Sequence, residues 1–249
     1  MVPSKSSRCL VFVPYYKQEL TALERFCLEK SIDTLRESFD IVLACPIGIK
    51  PPSYSGCTTI AFSANHFADV SSYCRWLLEP EIYQFSLLYD YMLILQLDAI
   101  VFKNDLNKWC SMGFDFVGAP WSGRVSFSYR FKSRPNLNAE VTRLDVGNGG
   151  LCLINPRSFL GLQRLYPDVF LEWYTLTGPN AGQEALYCFL GERTPFFKMP
   201  TKEQASLFSL ELDARNWINI NNELPLGFHA MFKYDADLWR ELFPSSPSL

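Results

Sequence analysis

The sequence predicts an α/β fold built on a mixed, mainly parallel sheet flanked by helices. Three observations predict it. Residues 91–95 (YMLIL) are apolar without alternation, the pattern of a strand covered on both faces. Leu20, Leu23, Cys27, Leu28, Ile32, Leu35 and Phe39 recur at intervals of three and four between two apolar runs, and a strand–helix–strand order of this kind implies parallel neighbours. Finally, in the stretch 89–102 (YDYMLILQLDAIVF) the apolar run ends in a single acid, Asp98. That places one carboxylate at the carboxyl end of a strand, where open α/β sheets bind their ligands.

Residues 9–13 (CLVFV) read as the first strand and 14–17 (PYYK) as the loop leaving its carboxyl end. The helical repeat follows, and Asp40 leads into a second strand over 41–45. A loop rich in Pro, Gly and Ser spans 46–56 and precedes a third strand at 58–62. Residues 69–79 and 81–87 read as helices parted by Pro80, which gives β-α-β-β-α-β up to the Asp98 strand.

Beyond Asp98, residues 105–112 suit a short helix and 114–119 (FDFVGA) a further strand. Residues 120–140 keep no period. They set Arg124, Arg130, Lys132 and Arg134 among Phe127, Tyr129 and Phe131, and read as a lid over a donor, a grip on an anionic acceptor, or a solvated loop. Residues 146–154 (VGNGGLCLI) read as a tight turn into a strand, with Gly147, Gly149 and Gly150 letting a ligand approach the backbone. They do not fit the dinucleotide pattern G-x-G-x-x-G. Gln183 and Glu184 open an apolar helix over 185–190 after Gly178, Pro179 and Asn180, and 224–234 (LPLGFHAMFKY) reads as strand-like around His229.

A chain of 249 residues, 48% hydrophobic, suffices for one large domain spanning 1–249. A net charge of −3 and a pI near 5.5 give no general electrostatic reason to expect nucleic acid. No uncharged apolar stretch reaches membrane-spanning length. Eight cysteines without a close pair exclude a zinc knuckle and a Cys-x-x-Cys motif, and suit free thiols in a reducing cytoplasm.

QLDAIVF, FDFVGAPW, VGNGGLCLINP, the Gln183-Glu184 pair and LPLGFHA, in this order and spacing, resemble a family of bacterial GT-A-like glycosyltransferases of largely unassigned specificity. The resemblance covers roughly residues 8–235. It implies a GT-A-like fold with a nucleotide-sugar half over about 8–119 and an acceptor half over about 120–243. The implied reaction moves a sugar, with inversion, from a nucleotide-diphosphate sugar to a glycan or lipid-linked acceptor in surface polysaccharide assembly. Such work suits a cytoplasmic protein at the inner face of a membrane.

By the same resemblance Asp98 meets the diphosphate or a divalent cation (Mn²⁺ or Mg²⁺), His229 stands beside that metal, and Glu184 takes the catalytic acidic position. A general base there removes the acceptor hydroxyl proton. Nucleotide contacts fall on Tyr15 or Tyr16, Gln96, Asn65, His66, Ser71 and Arg75. Acceptor contacts fall on Trp121, Asn148, Gly149, Gly150 and Trp217. The chain departs from the family at three positions. Ile100 stands where a second acid would complete Asp-x-Asp, Gln183 where an acid is usual, and Glu184 where Asp is usual. Without a metal, Arg75 and the basic loop are the cationic reserves.

Each residue also has a plain structural reading. Asp98 can cap a turn, Glu184 complement a helix dipole, and His229 and the tryptophans pack in a core. A sugar nucleotidyltransferase would need a Gly-rich, Arg-containing loop after the first strand, where this chain has PYYK. A carbohydrate-binding or scaffold protein that kept the fold and lost catalysis is the alternative from another class, and Ile100 and Gln183 keep it open.

Overall fold

A computed structural model describes residues 8–137, 142–175 and 182–248, with side chains omitted at 122–124 and 126. Among the described residues nine strands form: β1 Cys9–Pro14, β2 Asp40–Pro46, β3 Cys57–Phe62, β4 Tyr91–Leu95, β5 Ala99–Val101, β6 Phe116–Phe127, β7 Thr142–Ile154, β8 Ser209–Leu210 and β9 Gly227–His229. Six of them make the main sheet in the order β3-β2-β1-β4-β7-β6. The first four are parallel, and β7 runs antiparallel to both β4 and β6. The mixed, mainly parallel α/β sheet is therefore present.

Its inner strands are mostly apolar because both of their faces are covered, whereas β3 is largely exposed. β1, β2 and β4 are buried along their whole length. One face packs Phe12, Met92, Ile94 and Cys152, and the other packs Val11, Val13, Leu93 and Leu151 with the helix Ala22–Leu35. That helix starts on a capping box between Thr21 and Glu24 and buries Leu23, Cys27, Leu28, Ile32 and Leu35. Pro80 occupies the first turn of Pro80–Phe85, where a missing N–H is harmless. All eight cysteines are free thiols, and no described helix is long and apolar enough to cross a membrane.

Three segments differ from what their sequence predicts. β6 continues past residue 119 to Phe127 and pairs with β7, with register shifts between Val117 and Val125. Phe127 and Phe131 are buried. The Phe127 ring lies 4.3 Å from that of Phe189 and 5.2 Å from that of Trp173. Glu172 accepts hydrogen bonds from Tyr129 Oη, the Lys132 and Ser133 amides and Ser133 Oγ. Arg134 Nε lies 2.7 Å from Asp168.

Aromatic burial and one carboxylate with four donors thus fix residues 127–134 against the helix Pro167–Tyr174, and they do not stand free as a lid. Arg130 remains exposed. Residues 138–140, the Arg124 side chain, and Gly178, Pro179 and Asn180 lie outside the described residues.

The glycine segment lies inside β7 and is not a turn before it. Gly147, at φ 155°, sits at the irregular β6–β7 pairing. Residues 224–234 contain only the three-residue β9. Ala230 at φ 48° then breaks the extended run, and a short helix Met231–Tyr234 follows.

A second, three-stranded sheet has the order β5-β9-β8. β5 pairs antiparallel with β9, so that Ala99 faces His229, and β8 runs parallel to β9. Since β4 ends at Leu95 and β5 begins at Ala99, Asp98 occupies the hinge between the two sheets.

Candidate active site

The hinge is made rigid by its backbone. The Gln96 amide donates to the Gly150 carbonyl at 2.9 Å, the Ala99 amide to Gln96 O at 2.9 Å, and the Ala230 amide to Asp98 O at 2.9 Å. The β5–β9 register then brings His229 to Asp98. His229 Nε2 lies 3.4 Å from Asp98 Oδ1, and Nδ1 lies 3.3 Å from Oε1 of Glu211, the residue that directly follows β8. Neither ring nitrogen meets hydrogen-bond geometry, so charge attraction holds this array together. The other Glu211 oxygen accepts from Asn148 Nδ2, and Asn148 Oδ1 accepts from the Gly150 amide at 3.1 Å. Lys233 Nζ completes the array, 2.6 Å from Asp98 Oδ2.

Burial alone would push the His229 pKa down. Asp98 and Glu211 on its two sides outweigh that and raise it to about 9, so the ring is an imidazolium at neutral pH. Asp98 shows the converse. Burial would raise its pKa, and His229 and Lys233 together hold it well below the usual carboxylate range.

Glu184 stands in the first turn of the helix Gln183–Gly191. Its Oε2 is buried without a hydrogen-bond partner, and burial pushes its pKa up, with His229 opposing and Glu211 reinforcing the shift. A Cβ on Gly149 would lie 3.8 Å from that oxygen, and a Cβ on Gly150 would collide with the His229 ring. Gly150 therefore makes room for the His229 ring, whereas a side chain on Gly149 would meet Glu184 only in ordinary van der Waals contact.

Beside the hinge, at the carboxyl ends of β1 and β4, a cavity of about 350 Å³ is lined by Pro14, Tyr16, Phe67, Asp69, Tyr73 and Gln96 among others. Tyr16 is 45% exposed there, whereas Tyr15 is 1% exposed and packs in the core. The stacking role is thus open to Tyr16 and closed to Tyr15, because successive residues of an extended chain point to opposite sides.

Ser71 and Arg75 lie half-buried on the helix Val70–Trp76 and do not line the cavity, and Arg75 donates to Ser72 Oγ at 3.3 Å. The His66 ring stacks on Trp76 at 4.8 Å, and Asn65 is exposed. Trp121 fills the space where Gly147 lacks a side chain. Trp217 is half-buried against the core that includes Ile100 and Phe228. Neither tryptophan stands as a free platform for a sugar.

The fold thus gathers Tyr16, Gln96, Asp98, Asn148, Gly149, Gly150, Glu184 and His229. Glu211 and Lys233 were not anticipated. Glu211 had a signal, since FSLEL repeats on a small scale the pattern of an apolar run ending in an acid. Lys233 had none, because its position depends on the backbone reversal at Ala230.

The residues present make a poor set for a divalent cation. Asp98 Oδ2 is held by an ammonium, Glu211 lies on the far side of the imidazole, and Ile100 is fully buried. Hard cations take several oxygen ligands. Among the described residues the three-ligand group that forms is His66, Glu79 and Glu81, and not one at the hinge.

The family model described as Protein of unknown function (DUF5672) matches residues 56–229. The chain belongs to this family. The matched DUF5672 segment includes Asp98, Glu184, Glu211 and His229, and leaves Tyr16 and Lys233 outside. No curated protein matches the chain. Mouse xyloside xylosyltransferase 1 in its apo form is structurally similar, with a TM-score of 0.56 at 12% identity over 90% of this chain and 97% of that one. The galactosyltransferase LgtC, solved with donor and acceptor sugar analogues, gives 0.55 at 12% identity over 97% of both chains. The bifunctional glycosyltransferase WbbM gives 0.57 at 11% identity over 92% of this chain and 47% of that one. At these identities the likeness shows the fold, and the fold of this DUF5672 chain is GT-A-like.

Proposed function

We propose that the protein is a glycosyltransferase that moves a sugar from a nucleotide-diphosphate donor to a glycan or lipid-linked acceptor, as in surface polysaccharide assembly. The observation that carries this reading is the meeting of Asp98, His229 and Glu184 around the paired glycines of β7, beside a cavity at the carboxyl ends of β1 and β4. Structures with the same fold include LgtC, captured with donor and acceptor analogues.

The nucleotide occupies the cavity with Tyr16 against the base, and its diphosphate reaches the Asp98 hinge. The acceptor hydroxyl approaches over Gly149 and attacks the anomeric carbon. Its proton passes to Glu184 Oε2, a base made more basic by burial and free of competing hydrogen bonds. The bond from the anomeric carbon to the β-phosphate oxygen breaks, and both electrons leave with the nucleoside diphosphate. Attack from the face opposite the leaving group inverts the configuration.

The test is a panel of UDP-, GDP-, CMP- and dTDP-sugars, followed by thermal unfolding, since a ligand of the native state raises the midpoint. A selective rise lost in Asp98→Ala supports the reading. No rise with any donor moves it to a carbohydrate-binding or scaffold protein.

A further inference from the structure

We propose that the Lys233 ammonium takes the position of the divalent cation at the Asp98 hinge, so that a nucleoside diphosphate binds here without metal. This rests on the reading of the hinge as a nucleotide-sugar site.

Lys233 is aimed by two contacts with the same residue. The Asp98 carbonyl accepts the Ala230 amide, and the Asp98 carboxylate accepts the Lys233 ammonium at 2.6 Å. Between these anchors the chain passes through Ala230 at φ 48°, a left-handed conformation that non-glycine residues rarely adopt. The Lys233 amide closes the turn on Ala230 O at 2.9 Å. Without this reversal the lysine would continue the line of β9 away from the hinge.

The ammonium is fastened on one side only. Its side chain is 52% exposed, and an ammonium has three donors, of which Asp98 takes one. The other two are open to phosphate oxygens. The charge also reaches the cavity. The Tyr16 phenol, pushed up mainly by burial, feels the charges of Asp98 and Lys233 as well.

Metal at the same point is opposed by geometry. Asp98 would have to release Lys233 or hold two positive charges within about one hydrogen-bond length of each other. Ile100, fully buried against Phe228 and its neighbours under the small sheet, cannot supply the missing acid. Arg75, the cation expected for this task, is directed to Ser72 instead. When the sugar leaves, the electron pair retained by the β-phosphate oxygen develops its charge beside Lys233, which donates a hydrogen bond to it.

The deciding experiment is calorimetric titration of UDP, GDP, CDP and dTDP in EDTA and again in Mn²⁺, with Mn²⁺ alone followed by electron paramagnetic resonance. The expected result is one diphosphate binding equally, within about twofold, in both buffers, with Mn²⁺ alone unbound. Lys233→Met should weaken that affinity about tenfold or more, and Lys233→Arg should retain most of it. Should Lys233→Met fail to fold, Lys233→Gln and the wild-type comparison of buffers carry the decision. Binding that appears only with Mn²⁺, or that survives Lys233→Met, overturns the lysine assignment and leaves the glycosyltransferase reading standing. No binding of any diphosphate in either buffer overturns both.

Discussion

The imidazole of His229 occupies the space that a side chain on Gly150 would need. The two residues belong to different sheets, and the absent Cβ lets β9 close onto β7 until His229 meets Asp98. Gly150→Ala should therefore displace the ring while the main sheet stays intact. The expected outcome is a stability loss of about 1–3 kcal/mol in denaturant titration, with donor binding abolished.

Glu184→Gln keeps the shape of the side chain and removes the proposed proton acceptor. Transferase activity should fall about 10²–10⁴-fold. Thermal stability should hold or rise, because Oε2 is buried without a partner and its charge is costly there. In the wild type, activity should rise with pH through the Glu184 pKa, on an acid limb displaced above the ordinary glutamate range by burial. A pH–rate profile whose acid limb lies at the ordinary value would count against this base.

His229 makes stability depend on pH in the alkaline direction. Its folded pKa of about 9 lies above the ordinary 6.5, so its contribution is complete below 6.5 and is lost as pH rises through about 9. The midpoint of thermal unfolding should fall across that window. His229→Gln should lower the midpoint at pH 6 and flatten the fall. Asp98 acts at the opposite end: its depressed pKa adds stability above the ordinary carboxylate value, and this is lost only in strong acid.

Tyr15 and Tyr16 are neighbours with opposite surroundings, one buried and one exposed. Tyr15→Ala should cost about 3–5 kcal/mol of stability, as expected for truncating a fully buried aromatic ring. Tyr16→Ala should leave the unfolding midpoint nearly unchanged and weaken nucleotide binding by about 1–3 kcal/mol, the usual worth of base stacking on an aromatic ring. Chemical denaturation and calorimetry on the pair separate the two effects.

Much of the fold was legible because burial on both faces leaves a strong trace in composition. YMLIL could be read as a covered strand, and the Leu20 to Phe39 repeat as a helix, without knowing what covered them. Residues 127–134 mislead for the converse reason. Their aromatics alternate with charges, and only Trp173, Phe189 and Glu172, remote in sequence, reveal that the rings are core and the backbone is anchored.

By itself the sequence determined the α/β class, the strand that carries Asp98, and the glycines, acid and histidine from which the site is assembled. These are properties of local pattern and residue chemistry. Only the tertiary structure decided that Glu211 flanks His229, that Tyr15 is core and Tyr16 surface, and that Lys233 turns back onto Asp98. The β5–β9 register and a single left-handed residue at Ala230 bring His229 and Lys233 to Asp98, the β8–β9 pairing brings Glu211 to His229, and pairings between separate segments leave no period in the chain.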